Sequence, residues 1–194
     1  MAVIVHPKAK MYHGKDALRY TTLRDNEDAY VSVNDKVCWI KTDILATRGT
    51  QQCGGRFKEE RFRVTGCYVT LPETSEPTVP LTVRVWTNLD GEADDESFGI
   101  DNVVISEAVL PVDGGTNNRF GNQNNFEGWN CDKITTCGDL GQICGGYNVK
   151  GKGSDLIKTY RNLPAGKYSV QLDVIKVDSW FVCMTYRFLK RGRV

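Results

Sequence analysis

Histidine is scarce. The 194-residue chain carries two, His6 and His13, and both fall in an N-terminal stretch, residues 1–24, that shows no steady periodicity. A serine or cysteine nucleophile needs a base within hydrogen-bond reach. No Gly-x-Ser-x-Gly elbow is present either, so no catalytic residue is assigned. Net charge is also lacking. Twenty-five Lys and Arg against twenty-four Asp and Glu leave +1, and no global field draws nucleic acid or an anionic membrane. The basic clusters near the two ends, Lys8, Lys10, Lys15 and Lys190, Arg191, Arg193, read as solvated tails. No apolar run approaches the ~20 residues that cross a bilayer. No stretch carries an apolar i, i+3, i+4, i+7 stripe of helical length, which argues against helical folds. There is no Asn-x-Ser/Thr acceptor, and no Gly-x-Gly-x-x-Gly for a dinucleotide. Gly146 to Gly153 comes close to a phosphate loop, but Gly153 stands where the magnesium-binding hydroxyl belongs, so a turn between strands is expected.

Seven cysteines are present: Cys38, Cys53, Cys67, Cys131, Cys137, Cys144 and Cys183. No C-x-x-C pair and no neighbouring histidine support zinc. Disulfides are the better reading, and they place the chain in an oxidising, extracellular or cell-surface compartment. Met1 to Lys8 lacks the ~7–15-residue apolar core of a secretory signal. The expectation is therefore a piece of a longer secreted chain, or a truncated gene model. Cys38 with Cys53 is the expected local bridge, since each flanks a turn beside a strand. Cys131 with Cys137 or Cys144 comes next, and the odd count leaves one thiol over.

The apolar pattern has period two. Ala29, Val31 and Val33 alternate with Tyr30 and Ser32, and Asn34-Asp35 marks a turn before Val37 to Ile40. Cys67 to Leu71 is a further strand. Leu81, Val83 and Val85 alternate with Thr82, Arg84 and Trp86. A polar, acidic loop runs from Asn88 to Glu96, and Val103 to Val109 is the strand that follows. Residues 111–124 are rich in Gly and Asn, cannot bury apolar area and read as a linker. Beyond them, Leu156 to Tyr160 is a short strand, and Tyr168, Val170, Leu172 and Val174 form another alternating stripe. Many short strands spaced by turns predict an all-β, antiparallel sandwich.

Two groups of residues are candidates for chemistry. Hard oxygen ligands gather at Glu96 and Asp101, with Glu27 and Asp28 as a second acidic group, and such ligands suit calcium. The plain alternative is a solvated acidic loop, with Asp101 bracing a turn. A glycosidase pair needs two carboxylates held across a cleft, which sequence does not show. Among the aromatics, Trp39, Trp129 and Trp180 read as packing. Trp86 lies opposite the Leu81/Val83/Val85 stripe and is the best exposed ring, with Asn88 and Asp90 beside it as polar partners for a sugar.

Several segments resemble a known family. Gly145 to Val149, Gly151 to Ser154, Lys158 to Tyr160 with Leu163-Pro164, and Val177-Asp178-Ser179-Trp180 resemble the first half of a jelly-roll repeat. Such galactose-binding-like repeats occur in large cell-surface or secreted proteins of ciliates and other protists. Asp25 to Val31, Cys53-Gly54-Gly55 with Glu59 or Glu60, and Glu96-Ser97-Phe98-Gly99-Ile100-Asp101-Asn102 resemble the second half. The halves come in reversed order. The resemblance thus implies the end of one repeat (25–110), the linker, and the start of the next (125–180), followed by an atypical tail (181–194). Together they would make one circularly permuted or split jelly roll. It also implies a structural calcium on Glu96 and Asp101. The expected function is non-catalytic: carbohydrate binding or adhesion at a cell surface, with a glycan, a cell-surface protein or neighbouring repeats as partner. A structural spacer in a surface coat is the alternative, and a glycoside-acting enzyme the distant one. A sandwich fold alone does not decide among them.

Overall fold

The computed structural model describes residues 27–45, 47–53, 57–73, 79–108 and 125–180. The N-terminal segment 1–24, the linker 111–124 and the tail 181–194 with Cys183 lie outside the described residues.

β1 (Ala29–Val33) and β2 (Lys36–Lys41) form a hairpin. Its turn residues Asn34 and Asp35 both adopt left-handed backbone, with φ of 48° and 61°. Positive φ at both central positions suits the right-handed twist of the flanking strands, and Asn and Asp accept it better than most side chains. Then follow β3 (Glu60–Leu71), β4 (Leu81–Thr87), β5 (Glu96–Glu107), β6 (Ile134–Thr136), β7 (Gln142–Gly145), β8 (Asp155–Tyr160) and β9 (Gly166–Asp178). One 3-10 turn, Gly138–Leu140, lies between β6 and β7. The strands make two antiparallel sheets, β2-β1-β4-β8 and β3-β9-β5-β7-β6. This is the all-β sandwich that the alternating pattern predicts.

Period two decides what the sheets bury. Val31, Val83, Val85 and Leu156 of the first sheet share a core with Phe98, Ile100, Val170, Leu172 and Val174 of the second. Burying each such side chain stabilises by about 1.5–3 kcal/mol. Ile175 and Val177 have the opposite parity on β9. With Ile143 they pack on the outer face of the five-stranded sheet, beneath Cys53 and Cys137. The last third of β9 is therefore buried on both faces.

Two strands are longer than the sequence pattern suggests. In β3 the register shifts between Val64 and Cys67, at Gly66 (φ 83°). In β5 it shifts between Asp101 and Val104, at Asn102 (φ 51°). An inserted residue reverses which parity faces inward. Phe62 and Val64 are thus followed by Cys67 and Leu71 on the inner side, and Phe98 and Ile100 by Val103 and Ile105. Read as unbroken alternation, each strand looks like a fragment, so β5 starts at Glu96 rather than Val103.

The strands before and after residues 109–124 are interleaved. β9 lies between β3 and β5, and β8 extends the sheet beyond β4. The bridges also differ from expectation. Cys38 is not bonded to Cys53. It pairs with Cys67 across neighbouring edges of the two sheets (Cα–Cα 5.2 Å), because the bulge in β3 turns Cys67 inward. Cys53 pairs with Cys137 (Cα–Cα 4.5 Å), and Cys131 pairs with Cys144 (Cα–Cα 5.0 Å), one of its two expected partners.

The sequence separations of 84, 29 and 13 set an order of stabilisation. Loop entropy assigns about 4.6, 3.6 and 2.9 kcal/mol to Cys53–Cys137, Cys38–Cys67 and Cys131–Cys144. Urea unfolding of three variants, each with one pair replaced by alanine, is expected to show losses in that order. A variant lacking Cys53–Cys137 that is the most stable of the three would contradict it.

Candidate functional site

The carboxylates do not all meet. Glu27, just before β1, Asp90, in the loop before β5, and Glu96, the first residue of β5, each place an oxygen within 4.8 Å of the others. Glu27 and Glu96 are buried and Asp90 is exposed. Two of these, Glu27 and Glu96, are predicted metal residues. Asp90 is predicted as a sugar contact but stands with the carboxylates instead. Asp28 is not in the group; its carboxylate accepts the Tyr30 hydroxyl (2.9 Å).

Asp101 is on the other side of the sheet. Glu96, Phe98 and Ile100 face inward, so Asp101 faces outward, directly across from Asp173 on β9. Arg61 lies 3.7 Å from Asp101 and 3.6 Å from Asp173, and Arg63 lies 3.1 Å from Asp173. The Asn102 side chain donates to Asp173 (2.8 Å), and its backbone N–H donates to Asp101 (2.6 Å). Asp101 therefore braces a bulge within an arginine network and does not share a cation with Glu96.

The acidic loop is held from several sides. Gly91 N–H donates to Glu96 (2.6 Å), fixing that carboxylate. Asn148 N–H donates to the Ala93 carbonyl (2.9 Å) and Lys152 N–H to that of Gly91 (3.2 Å). Gly151 allows this approach, since a Cβ there would lie 2.7 Å from Ala93. The segment that resembles a phosphate loop thus serves as a brace. The Ser179 hydroxyl donates to the Asp95 carbonyl (2.9 Å), and the buried Trp180 indole donates to Ser97 (2.6 Å).

Lys176 is the residue that sequence reading misses. The inward stripe Tyr168, Val170, Leu172, Val174 continues at 176, so this ammonium is inside the sandwich, 0 % exposed. It donates to the Lys58 carbonyl. Burial pulls its pKa down to about 8, against Glu60, Glu59, Asp178 and Glu27, which hold it up. Extending the stripe by one more alternation was the signal for it.

The predicted sugar contacts separate too. Trp86 lies on the outer face of the four-stranded sheet, as its parity requires. Its ring stacks on Tyr30 (centroids 5.3 Å apart, 12° between planes), and Arg84 lies 5.0 Å from its centroid. Arg84 bonds Asp155 (3.0 Å), which also accepts from Asn130 (3.3 Å). Ile40, 54 % exposed, is paired with Tyr30 across β1 and β2. Asn88, two residues beyond Trp86, accepts the Asp28 N–H (2.6 Å). Trp129 and Trp180 are buried, and Trp39 packs against the core. No family model, curated protein or solved structure matches this chain.

Burial raises the Asp101 pKa above 3.8, with Asp173 adding to the rise; the Asn102 N–H, Arg61 and Arg63 pull it partly back. A carboxyl whose pKa is raised on folding favours the folded state most below its unfolded value, and that contribution is lost as pH rises through the folded value. Asp101→Asn is expected to reduce the melting temperature at pH 3 relative to its effect at pH 7, where it is neutral or stabilising. Melting curves between those values check this. An Asn variant that loses more stability at pH 7 than at pH 3 reverses the assigned sign.

Proposed function

We propose that this chain is a non-catalytic, extracellular β-sandwich module that binds carbohydrate or mediates adhesion at a cell surface. The observation that carries this reading is the outer face of the four-stranded sheet, on which no other strand packs among the described residues. There Ile40, Tyr30 and Trp86 form a row across β2, β1 and β4, flanked by the Arg84–Asp155 pair. Aromatic and aliphatic surface beside fixed polar groups is what a saccharide presents in mirror image: C–H faces rimmed by hydroxyls. Three disulfides are compatible with a secreted-type domain, and among the described residues no helix is long and apolar enough to cross a membrane. The resemblance to jelly-roll repeats supports the same compartment, with neighbouring repeats of a longer chain as further partners.

A second reading, a spacer without a ligand, is favoured by one feature. The polar groups around the rings already satisfy one another, through Arg84–Asp155, Asn130–Asp155 and Tyr30–Asp28. A glycan array followed by calorimetry on the best hit separates the two. The binding module is expected to retain a glycan that Trp86→Ala binds about tenfold or more weakly. Absence of any glycan ligand, or equal binding by the variant, leaves the spacer.

We also infer a structural calcium held by Glu27, Asp90 and Glu96. The donor set fits a hard cation: three carboxylates, Glu27 from the start of β1 and Asp90 and Glu96 from the acidic loop, with Glu27 and Glu96 buried. When bound, the ion would supply positive charge that ties the acidic loop to the start of β1. Ligand binding to the folded state stabilises it by about 2.7 kcal/mol at a hundredfold excess over Kd. Millimolar calcium is expected to raise the melting temperature, a chelator to reverse the rise, and Asp90→Asn with Glu96→Gln to abolish it. An unchanged melting temperature in the unsubstituted protein sinks the calcium reading and leaves the sandwich without a metal.

A further inference from the structure

Two units of the chain meet along a seam that each leaves open without the other. Residues 27–108 supply β1 to β5, and residues 125–180 supply β6 to β9. β3 and β5 are not partners of each other; both pair with β9, from Glu60↔Lys176 to Leu71↔Gly166 on one side and from Glu96↔Asp178 to Glu107↔Tyr168 on the other. The first unit by itself therefore has a slot one strand wide between two twelve-residue strands, and a bare edge on β4 where β8 docks from Leu81↔Tyr160 to Trp86↔Asp155. Unpaired backbone along such edges is a template for another strand of matching register. The matching register belongs to β8 and β9 of this same sequence.

We propose that the 125–180 unit is exchangeable between copies, so that the slot between β3 and β5 is filled by β9 of a second copy of this chain. Three features support this. Sixteen residues, 109–124, connect the units, enough chain to reach on the order of 55 Å when extended. The same seam contacts form in the closed chain and in an exchanged pair, so exchange costs little beyond association itself. The bridges also sort by unit. Cys38–Cys67 lies within the first and Cys131–Cys144 within the second, whereas Cys53–Cys137 crosses the seam. In an exchanged pair the crossing bridge joins two chains, and the other two bridges do not. A tether of this length holds its own partner at an effective concentration on the order of millimolar. Exchange is accordingly a property of crowded chains, such as those in a surface layer, and dilute chains close on themselves.

The test uses the unmodified chain. Equal amounts of ordinary and heavy-nitrogen protein are reduced, unfolded, mixed and refolded oxidatively at rising concentration. Digestion with trypsin and a protease that cuts before Asp132 and Asp139 separates Cys131, Cys137 and Cys144, and mass spectrometry weighs each bridged pair. Bridged pairs containing one heavy and one light peptide arise only between chains. Such pairs are expected for Cys53–Cys137, reaching about a quarter of that bridge near 1 mM and approaching about half only well above it, while Cys38–Cys67 and Cys131–Cys144 stay unmixed. No mixed Cys53–Cys137 at any concentration overturns the proposal. So does equal mixing in all three bridges, which is the mark of random thiol pairing.

Discussion

The central position of β9 is the constraint on which the rest of the sandwich depends. It forms backbone ladders with β3 on one side and β5 on the other. Its inner face supplies Tyr168, Val170, Leu172 and Val174 to the main core, and its outer face supplies Ile175 and Val177 to the second cluster. Few strands are buried on both faces in an antiparallel sheet. Here it is possible because the segment bearing Cys53 and the 3-10 turn after Cys137 cover the outer side. The strand is also distant in sequence from both partners. Its pairing must meet the entropy of closing long loops before any contact offsets it, and the Cys53–Cys137 bridge bears on that same closure.

The position of β9 organises the acidic end as well. Ser179 and Trp180 leave the strand beside the loop before β5, and their bonds to Asp95 and Ser97 hold that loop. Asp90 and Glu96 meet within one short loop, closed by the Gly91 N–H on the Glu96 carboxylate, and Glu27 joins them from the start of β1. The outer row of Tyr30 and Trp86 depends on a different rule. It needs only the parity of β1 and β4, whose partners are set by the adjacent hairpin and by β8.

That difference explains which parts were legible in the sequence. Strands with unbroken alternation, β1, β4 and most of β9, could be read directly, and so could the Asn34-Asp35 turn and the outward side of Trp86. β3 and β5 could be read only in pieces, because bulges at Gly66 and Asn102 reverse the parity midway. β6 and β7 are three and four residues long and carry too little pattern. The placement of Asp101 follows from parity counted back from Ile100, yet a cluster of acidic letters hides it, since nearness in sequence puts neighbours in a strand on opposite faces. Bridge partners are set by tertiary contact. Cys38 and Cys67 meet because two sheet edges meet, which no spacing rule expresses.

Charge balance at the acidic end gives the last step. Lys176 is the buried cation among Glu27, Glu59, Glu60 and Asp178, and Glu27 also belongs to the trio with Asp90 and Glu96. A single ammonium at that depth carries a desolvation cost, which is why its pKa falls to about 8 although carboxylates surround it. One positive charge offsets one carboxylate, and the Asp90 side of the cluster faces solvent. The remaining negative charge is concentrated where the acidic loop meets the start of β1. Such a site loses stability from like-charge repulsion unless protons, salt or a cation relieve it. Salt acts only where solvent reaches. A divalent cation is the one of the three that also links the start of β1 to the acidic loop, which is the role proposed for calcium on Glu27, Asp90 and Glu96.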